Sequence, residues 1–468
     1  MRRGAEPREP AVAVVLAVVV LAVAAFRPFP QVPTDLRPNI VVILSDDQSF
    51  DSLPHDPPVM PRLQATIDDH NGHWVSFPNA FVSTPLCCPS RATILTGRYS
   101  HNTGVQTNDL ADLLDDGSTV ATWLQGAGYY TGLFGKYLNG YPFGYSTFVP
   151  PGWDRWLGRL QAGQSSLYYN YVLVDQGFPV AHGSAPSDYS TDVHAAAAAD
   201  FIRTAPADRP FFLAVTPSGP HRPWTPAPRD TGAYADMAIA APGSIGEGDV
   251  SDKPAWVRAL RPMSRERLQQ LDGIHRRSFE TLRSVDRLVA GVVKALRRRG
   301  ALDRTIIFFL TDNGFSFGAH RWTSKGCPYE ECVRTPFFVR VPGAVARVDG
   351  HLISNVDLAP TFAELAGSAP ASPVDGRSLV PLLEGSTVPD WPDGVLLEYV
   401  GDAHIPPWRA IRTEEFAYVE YATGERELYD LTGRLGSPDP YELENRVSDP
   451  AYAGLRADLA ARLERLAG

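Results

Sequence analysis

Five short hydrophobic runs are separated along the chain by longer segments of mixed polarity. They cover residues 39–44, 130–134, 211–216, 305–310 and 337–341. Uninterrupted hydrophobic runs of this length are typical of strands that are buried on both faces of a parallel sheet. Each of the first four runs ends directly before, or a few residues before, a group of polar residues.

Between these runs, hydrophobic residues recur at the spacing of amphipathic helices. Helical segments are predicted directly after the cysteine pair at 87 and 88, and at 119–126, 193–203 and 264–299. Ser190 or Thr191 is expected to cap the third of these helices. Strands that alternate with helices predict an α/β fold, with a large, mostly parallel sheet sandwiched by helices.

Two long segments and the C-terminal part of the chain depart from this alternation. Residues 139–188 are aromatic and predicted to be irregular, and 223–262 form a loop rich in proline and glycine. Four short strands are predicted at 395–400, 408–412, 416–421 and 427–431, and a final helix at 452–466. We therefore expect a main domain over 37–385 and an α+β subdomain over 386–468, with a small C-terminal antiparallel sheet plus helix.

Residues 1–36 form a separate N-terminal segment. Arg2 and Arg3 precede an uninterrupted apolar run at 11–26, a pattern typical of a secretory signal peptide. A membrane anchor at 11–26 is the alternative, although a span needs about 20 apolar residues. Both interpretations predict an exported protein, which is either secreted or extracytoplasmic. In such a protein a disulfide between Cys327 and Cys332 is favoured over free thiols.

The charge balance narrows the possible partners. The formal net charge is -10 and charged residues make up 21% of the chain. This net charge gives no basic footprint, which argues against a nucleic-acid partner. An anionic small molecule is still compatible with this composition, because local charge decides its binding.

Polar residues with related chemistry follow four of the predicted strands. They are Asp46 and Asp47, Lys136, His221, and Asp312 with Asn313. The carboxyl ends of parallel strands meet at one edge of a sheet, where ligands bind in open α/β folds. Three carboxylates and an amide at that edge predict a hard cation, calcium or magnesium, rather than zinc.

The segment 86–98 contains Cys-x-Pro-Ser-Arg, which begins at Cys87, followed by Leu-Thr-Gly-Arg. Together these resemble the signature of the sulfatase family, whose first cysteine is oxidised to formylglycine by a dedicated maturation enzyme. The polar groups described above, and the late Lys325, occur in the same order as in that family. The double cysteine and the sequence at 135–139 are most similar to N-acetylglucosamine-6-sulfatases and related sulfatases.

The resemblance implies a fold of the alkaline phosphatase superfamily and a role for each matched residue. It implies that calcium is bound by Asp46, Asp47, Asp312, Asn313 and the modified Cys87. It further implies that Arg91 orients the modified residue, that Lys136 and Lys325 hold the sulfate, and that His221 meets the leaving oxygen. The implied reaction is hydrolysis of a sulfate ester, on a sulfated carbohydrate or other small molecule, by a formylglycine hydrate.

Three other functions are compatible with the same residues. They are an arylsulfatase of broad specificity, a phosphonate or phosphate ester hydrolase of the same superfamily, and a non-catalytic binding module. The complete set of metal ligands and lysines argues against the last. One position departs from many arylsulfatases, which have a histidine two residues after the first lysine where this chain has Leu138. Either another group serves as the base that regenerates the aldehyde, with His101 a candidate because it is close to the motif, or the motif is held differently, and the base stays unassigned.

Overall fold

The structure is a computed structural model that describes residues 1, 4, 35–144, 147–161, 166–239 and 242–468. The apolar run at 11–26, predicted to be a signal peptide or membrane anchor, lies outside the described residues. Among the helices within those ranges, none has the length and hydrophobicity that a membrane span requires.

The strands of the described residues form three sheets. Their bounds are β1 Asn39–Ser45, β2 Trp74–Ser76, β3 Ala80–Phe81, β4 Tyr130–Gly135, β5 Arg155–Arg159, β6 Tyr171–Asp175, β7 Phe178–His182, β8 Phe211–Thr216, β9 Thr305–Thr311, β10 Phe338–Arg340, β11 Arg347–Val348, β12 Ile353–Ser354, β13 Gly394–Tyr399, β14 Trp408–Thr413, β15 Phe416–Tyr421 and β16 Arg426–Asp430.

The largest sheet has ten strands in the order β11-β2-β10-β9-β1-β8-β4-β5-β6-β7. Its centre, from β9 to β5, is parallel throughout. Antiparallel pairs occur towards the edges, at β10 and at β6 and β7. The predicted α/β fold with a large, mostly parallel sheet is therefore confirmed.

Helices cover both faces of this sheet. Their bounds are α1 Pro61–Ile67, α2 Cys87–Thr96, α3 Ser100–Thr103, α4 Val120–Gly126, α5 Ser190–Thr204, α6 Ala255–Arg258, α7 Arg265–Arg299, α8 Glu330–Val333, α9 Leu358–Leu365, α10 Val380–Leu383 and α11 Ala453–Ala467. Alternate residues of β1 point to opposite faces, as the pleat requires. Ile40 and Val42 pack in the core that includes α2, α4 and α9. Val41 and Ile43 pack in the core that includes α1, α5 and α7.

Two local predictions are wrong. Helix α5 begins at Ser190 with Tyr189 as its N-cap, so Ser190 and Thr191 lie inside the first turn and cap nothing. The segment at 139–188 is not wholly irregular, because β5, β6 and β7 lie within it and extend the large sheet. These strands are only five residues long, and β5 contains Arg155 and Arg159. The two arginines leave β5 without a clear hydrophobic run.

The C-terminal strands β13 to β16 form an antiparallel sheet in sequence order. One face packs on α11 through residues such as Ile411 and Leu459. The other face packs on the main domain, where Tyr399 and Trp408 share a core with Tyr329. The predicted small antiparallel sheet plus helix is confirmed, whereas the domain boundary at 385–386 stays a prediction.

Candidate active site

The register of the parallel strands brings the predicted polar residues to one edge of the large sheet. Ser45 of β1 is paired with Thr311 of β9, so the residues after both strands are neighbours. Asp47 N donates to Asp312 Oδ1 at 3.1 Å across this junction. On the other side, Gly135 of β4 is paired with Thr216 of β8. This pairing sets Lys136 beside the loop that carries His221.

The helix predicted after the cysteine pair already begins at Cys87, which is the first residue of α2, with Leu86 in extended conformation as the N-cap. Pro89 fits the first turn because an amide hydrogen there would have no helical partner. Cys87 is buried, with 1% of its surface exposed. Its Sγ accepts from Lys325 Nζ at 2.8 Å and lies 3.8 Å from Asp46 Oδ1. The thiol therefore lies among the charged residues at the sheet edge.

Three cations pair with three buried aspartates around this thiol. Lys136 Nζ donates to Asp46 Oδ2 at 2.7 Å, and Lys325 Nζ donates to Asp47 Oδ1 at 2.5 Å. The third pair joins Arg91 Nε to Asp312 Oδ2 at 2.8 Å. A further bond from Arg91 Nη1 to the Lys136 carbonyl, at 2.9 Å, ties α2 to the end of β4.

Burial and charge act in opposite directions on the pKa values of these groups. Burial alone would raise the pKa of Asp46, but Lys136, His221 and Arg91 hold it well below its ordinary value. Burial raises the pKa of the Cys87 thiol, although both lysines oppose this shift. Burial also lowers the pKa of His221 despite the nearby aspartates. Asp46 is therefore an anion, while burial favours a neutral thiol and a neutral imidazole.

The donor atoms at this edge fit a hard cation. Ligand atoms of Asp46, Asp47, Cys87 and His221 all lie within 4.8 Å of one another. Asp47 Oδ2 and Asn313 Oδ1 are buried without a hydrogen-bond partner among the described residues. The Asn313 side chain is held by its Nδ2, which donates to Asp47 Oδ1 at 2.7 Å. These two uncommitted buried oxygens, one from a carboxylate and one from an amide, are the ligand chemistry of calcium or magnesium.

A cavity of about 670 Å³ opens onto this cluster. The predicted residues Asp46, Lys136 and His221 line it. Several other residues of its lining were not predicted, among them Asn139, Arg159, Gln161, Arg222, Trp224 and Arg277. Arg159 follows the same strand-end rule as Lys136, because it ends the parallel strand β5. It was missed because β5 was not predicted.

The residues considered for the missing base lie elsewhere. His101 Nδ1 is 2.7 Å from Glu398 Oε2 of the C-terminal sheet, and His101 is not among the residues that line the cavity. Leu138 is 1% exposed and packs in the hydrophobic core beside α2. The described geometry therefore places neither side chain in the cavity near Cys87, and the role of His101 stays a hypothesis.

The fold and this site agree with two family matches. The sulfatase family model matches residues 38–368. A second model, the C-terminal region of N-sulphoglucosamine sulphohydrolase, matches residues 318–468. The first match covers most of the chain, and the chain belongs to the sulfatase family.

Several curated relatives carry more specific names. N-acetylglucosamine-6-sulfatase of Capra hircus is 35% identical over 384 residues, which are 78% of this chain and 67% of that protein. The extracellular sulfatase SULF-1 homolog of Drosophila melanogaster is 35% identical over 382 residues, 78% of this chain. The chain spans only 33% of that second relative's length.

Solved structures share the fold over almost the whole chain. One, determined in complex with its substrate D-glucosamine-2-N,6-O-disulfate, has a TM-score of 0.79 and 25% identity. The match covers 92% of this chain and 97% of the other. The phosphonate monoester hydrolase of Agrobacterium radiobacter has a TM-score of 0.74 at 24% identity, with 92% and 95% covered. This second likeness shows the fold alone.

Proposed function

We propose that this chain hydrolyses sulfate esters of carbohydrates at the site around Cys87. The observation that carries the proposal is the position of that cysteine. It begins a helix among Lys136, Lys325 and Arg91, at a cavity with further cationic residues. Fixed positive charge in a buried site stabilises the charge that develops on the oxygens of a transferring anionic group. Membership of the sulfatase family supports the same reaction.

Two groups that the family implies fit the residues that are present. When formed from Cys87, formylglycine supplies a hydrated aldehyde whose two hydroxyl groups serve for attack on sulfur and for release of sulfate. When bound by Asp46, Asp47, Asp312 and Asn313, calcium supplies positive charge next to the sulfate oxygens. We propose calcium rather than magnesium because its coordination tolerates this irregular set of oxygens.

The remaining residues have roles that follow from their contacts. Lys136 and Lys325 compensate Asp46 and Asp47 here, and we assign to their ammonium groups the binding of sulfate oxygens. Arg91 keeps Asp312 and the end of β4 in position. His221 lines the cavity with its Nε2 3.5 Å from Asp47 Oδ2. This position suits a group that meets the leaving oxygen.

The cavity favours a substrate with more than one anionic or polar group. Arg222 and Arg277 line it beyond the central cluster, together with Trp224. Arginine forks bind carboxylate and sulfate-like oxygens, and an aromatic ring offers a face for a sugar. The N-acetylglucosamine-6-sulfatase relatives support a sulfated glucosamine residue of a glycan as substrate.

We also propose that the protein is exported and is matured by a formylglycine-generating enzyme. The disulfide between Cys327 and Cys332 supports an oxidising compartment. Cys87 and Cys88 are the free cysteines among the described residues. The similarity to extracellular sulfatases agrees with export.

The test combines activity with mass spectrometry on protein co-expressed with a formylglycine-generating enzyme. We expect sulfate release from N-acetylglucosamine-6-sulfate, and an aldehyde at residue 87 in the tryptic peptide. Cys87→Ala should lose all activity, whereas Cys88→Ala should keep most of it, since among the described residues the Cys88 thiol accepts only from the Asn139 amide. Turnover of a phosphonate monoester above that of every sulfate ester would contradict the proposal. Activity without an aldehyde would contradict the assigned nucleophile.

The metal is tested separately. Asp312→Ala should abolish turnover while far-UV circular dichroism stays that of the native fold. Exhaustive chelation should do the same, and calcium should restore activity to the native protein only. Full activity after chelation would contradict the assigned metal site.

A further inference from the structure

A second cluster of largely buried polar side chains lies where the main domain meets the C-terminal sheet. His320 is in the loop after β9, Glu331 is in α8, and Glu442 follows β16. One ligand atom from each lies within 4.8 Å of the other two. His320 is 0% exposed, and its Nε2 has no hydrogen-bond partner in the described parts of the chain. Glu331 Oε2 is likewise a buried atom without such a partner.

The second polar atom of each side chain is held by a hydrogen bond. His320 Nδ1 lies 2.8 Å from Glu247 Oε2. Ser244 Oγ donates to Glu331 Oε1 at 3.0 Å, and the Glu330 amide donates to Glu442 Oε2 at 2.9 Å. A histidine that donates one ring N–H to a carboxylate presents its other nitrogen as a lone pair. This is the arrangement that orients histidine ligands at metal centres.

The negative charge of the cluster is not balanced by the described side chains around it, which favours binding of a divalent cation. Glu330 is paired with Arg412 at 2.7 Å, and Glu247 lies 3.6 Å from Lys253. Glu331 and Glu442 have no ion pair within 4.0 Å among residues 35–144, 147–161, 166–239 and 242–468. A buried carboxylate without a cation beside it destabilises the folded protein. A doubly charged cation would compensate both.

We propose that His320, Glu331 and Glu442 bind a zinc ion that joins the main domain to the C-terminal subdomain. Imidazole nitrogen and carboxylate oxygen both bind zinc, and a water would complete the tetrahedral set. Calcium and magnesium prefer oxygen ligands alone, so the imidazole of His320 favours zinc at this site. Ligand atoms on tetrahedral zinc lie about 3.4 Å apart. Small side-chain rotations would bring the three ligand atoms, which lie within 4.8 Å of one another, to that separation.

The site has a structural role because its ligands come from separate parts of the fold. Glu442 belongs to the C-terminal subdomain, whereas Glu331 lies beside the Cys327–Cys332 disulfide of the main domain. His320 and Glu442 both have positive φ, at 51° and 55°. Residues other than glycine adopt this conformation at a cost, which a metal bond would offset.

The experiment uses the full chain after removal of metals by a chelator. Zinc is added, bound zinc is counted by inductively coupled plasma mass spectrometry, and thermal unfolding is followed. We expect one zinc per chain and a higher melting temperature with zinc. His320→Gln should weaken zinc binding at least about 100-fold, since loss of a group that only orients a ligand already costs about 10–100-fold. His194→Gln is the matched control, because His194 is equally buried with no carboxylate bonded to it.

Two further measurements keep the test independent of the active site and of variant folding. Asp312→Ala should keep its zinc, because it alters only the cluster at Cys87. X-ray absorption at the zinc edge of the native protein should show nitrogen and oxygen ligands without sulfur. A sulfur shell would assign the zinc to Cys87 or Cys88 and overturn the proposal. Equal zinc binding by native protein and His320→Gln, or no zinc binding by folded native protein, would also overturn it.

Discussion

At the scale of residues, two adjacent arginines of α7 have different surroundings. Arg277 lines the cavity beside Lys136 and His221, whereas Arg276 Nε donates to the Met237 carbonyl at 2.8 Å. Hydrogen bonds to charged groups contribute about 1.5–3 kcal/mol. Arg277→Ala should therefore raise KM for a disulfated glucosamine by about tenfold or more, with a smaller change in kcat.

Steady-state kinetics on the two variants measures this difference. Arg276→Ala is the control, and we expect its KM and kcat to stay within about twofold of the native values. A fall in kcat alone for Arg277→Ala would mean that this residue acts on the reaction step rather than on substrate binding.

Asp116 gives a pH dependence with a definite sign. Burial raises its pKa to about 6, despite the hydrogen bond that Tyr137 donates to it. A raised pKa in the folded state stabilises the fold below the unfolded pKa, and this contribution is lost as pH rises through 6. Asp116→Asn should therefore gain stability relative to the native protein as the pH rises from 4 to 7, by on the order of 3 kcal/mol at pH 7.

Thermal unfolding of both proteins at several pH values across that interval tests the sign. The difference in melting temperature should grow from pH 4 to pH 7 in favour of the asparagine variant. A constant difference would show that Asp116 ionises normally in the folded protein, and a shrinking difference would show that its pKa is lowered there; either result would contradict the prediction.

At the scale of elements, substitution by alanine should have opposite effects on stability at two glycines. Gly291 lies inside α7, and a Cβ there would meet no atom within 4 Å. Gly291→Ala should stabilise the protein by about 0.5–1 kcal/mol, because alanine loses less backbone entropy in a helix.

Gly135 ends β4 with φ 125°, and a Cβ there would lie 2.2 Å from the Thr216 carbonyl of β8.

Gly135→Ala should therefore force β4 away from β8 directly before Lys136. We expect a loss of several kcal/mol of stability, or insoluble protein. Urea unfolding of both variants provides the comparison. A Gly135→Ala protein as stable as the native one would mean that the two strands are not held at this spacing.

At the scale of the whole molecule, a buried ion pair joins the C-terminal sheet to the main domain. Arg412 Nε of β14 donates to Glu330 Oε1 of α8 at 2.7 Å, with both side chains below 10% exposed. Arg412→Met should leave a buried carboxylate whose only ion-pair partner among the described residues is the partly exposed Arg334. A loss of roughly 3 kcal/mol is expected, since breaking one side of a buried pair leaves an uncompensated charge.

Arg409 of the same strand is the matched control. Its ion pair with Glu464 spans 3.6 Å, and both side chains are largely exposed. Arg409→Met should therefore change stability by less than about 0.5 kcal/mol. Chemical unfolding that shows equal effects for the two variants would contradict a specific role for the buried pair.

The position of the polar site along the chain was predictable from local pattern. Buried parallel strands appear as hydrophobic runs, and their carboxyl ends share an edge, so the pattern alone places Asp46, Lys136 and Asp312 together. This reading of hydrophobic runs as strands failed where the strands are short or contain polar residues. Arg159 at the end of β5 was missed for that reason, and Arg277 was missed because it lies on a helix that faces the cavity.

The sequence by itself determined the α/β alternation, the small C-terminal sheet and the edge at which charged residues gather. These follow from hydrophobic periodicity, which reports the face that each residue occupies on its own element. Tertiary structure alone decided which distant residues meet. His320, Glu331 and Glu442 come from a loop, a short helix and the C-terminal subdomain, and no local pattern relates them. Their proximity depends on how one element packs on another, and periodicity carries no information about that packing.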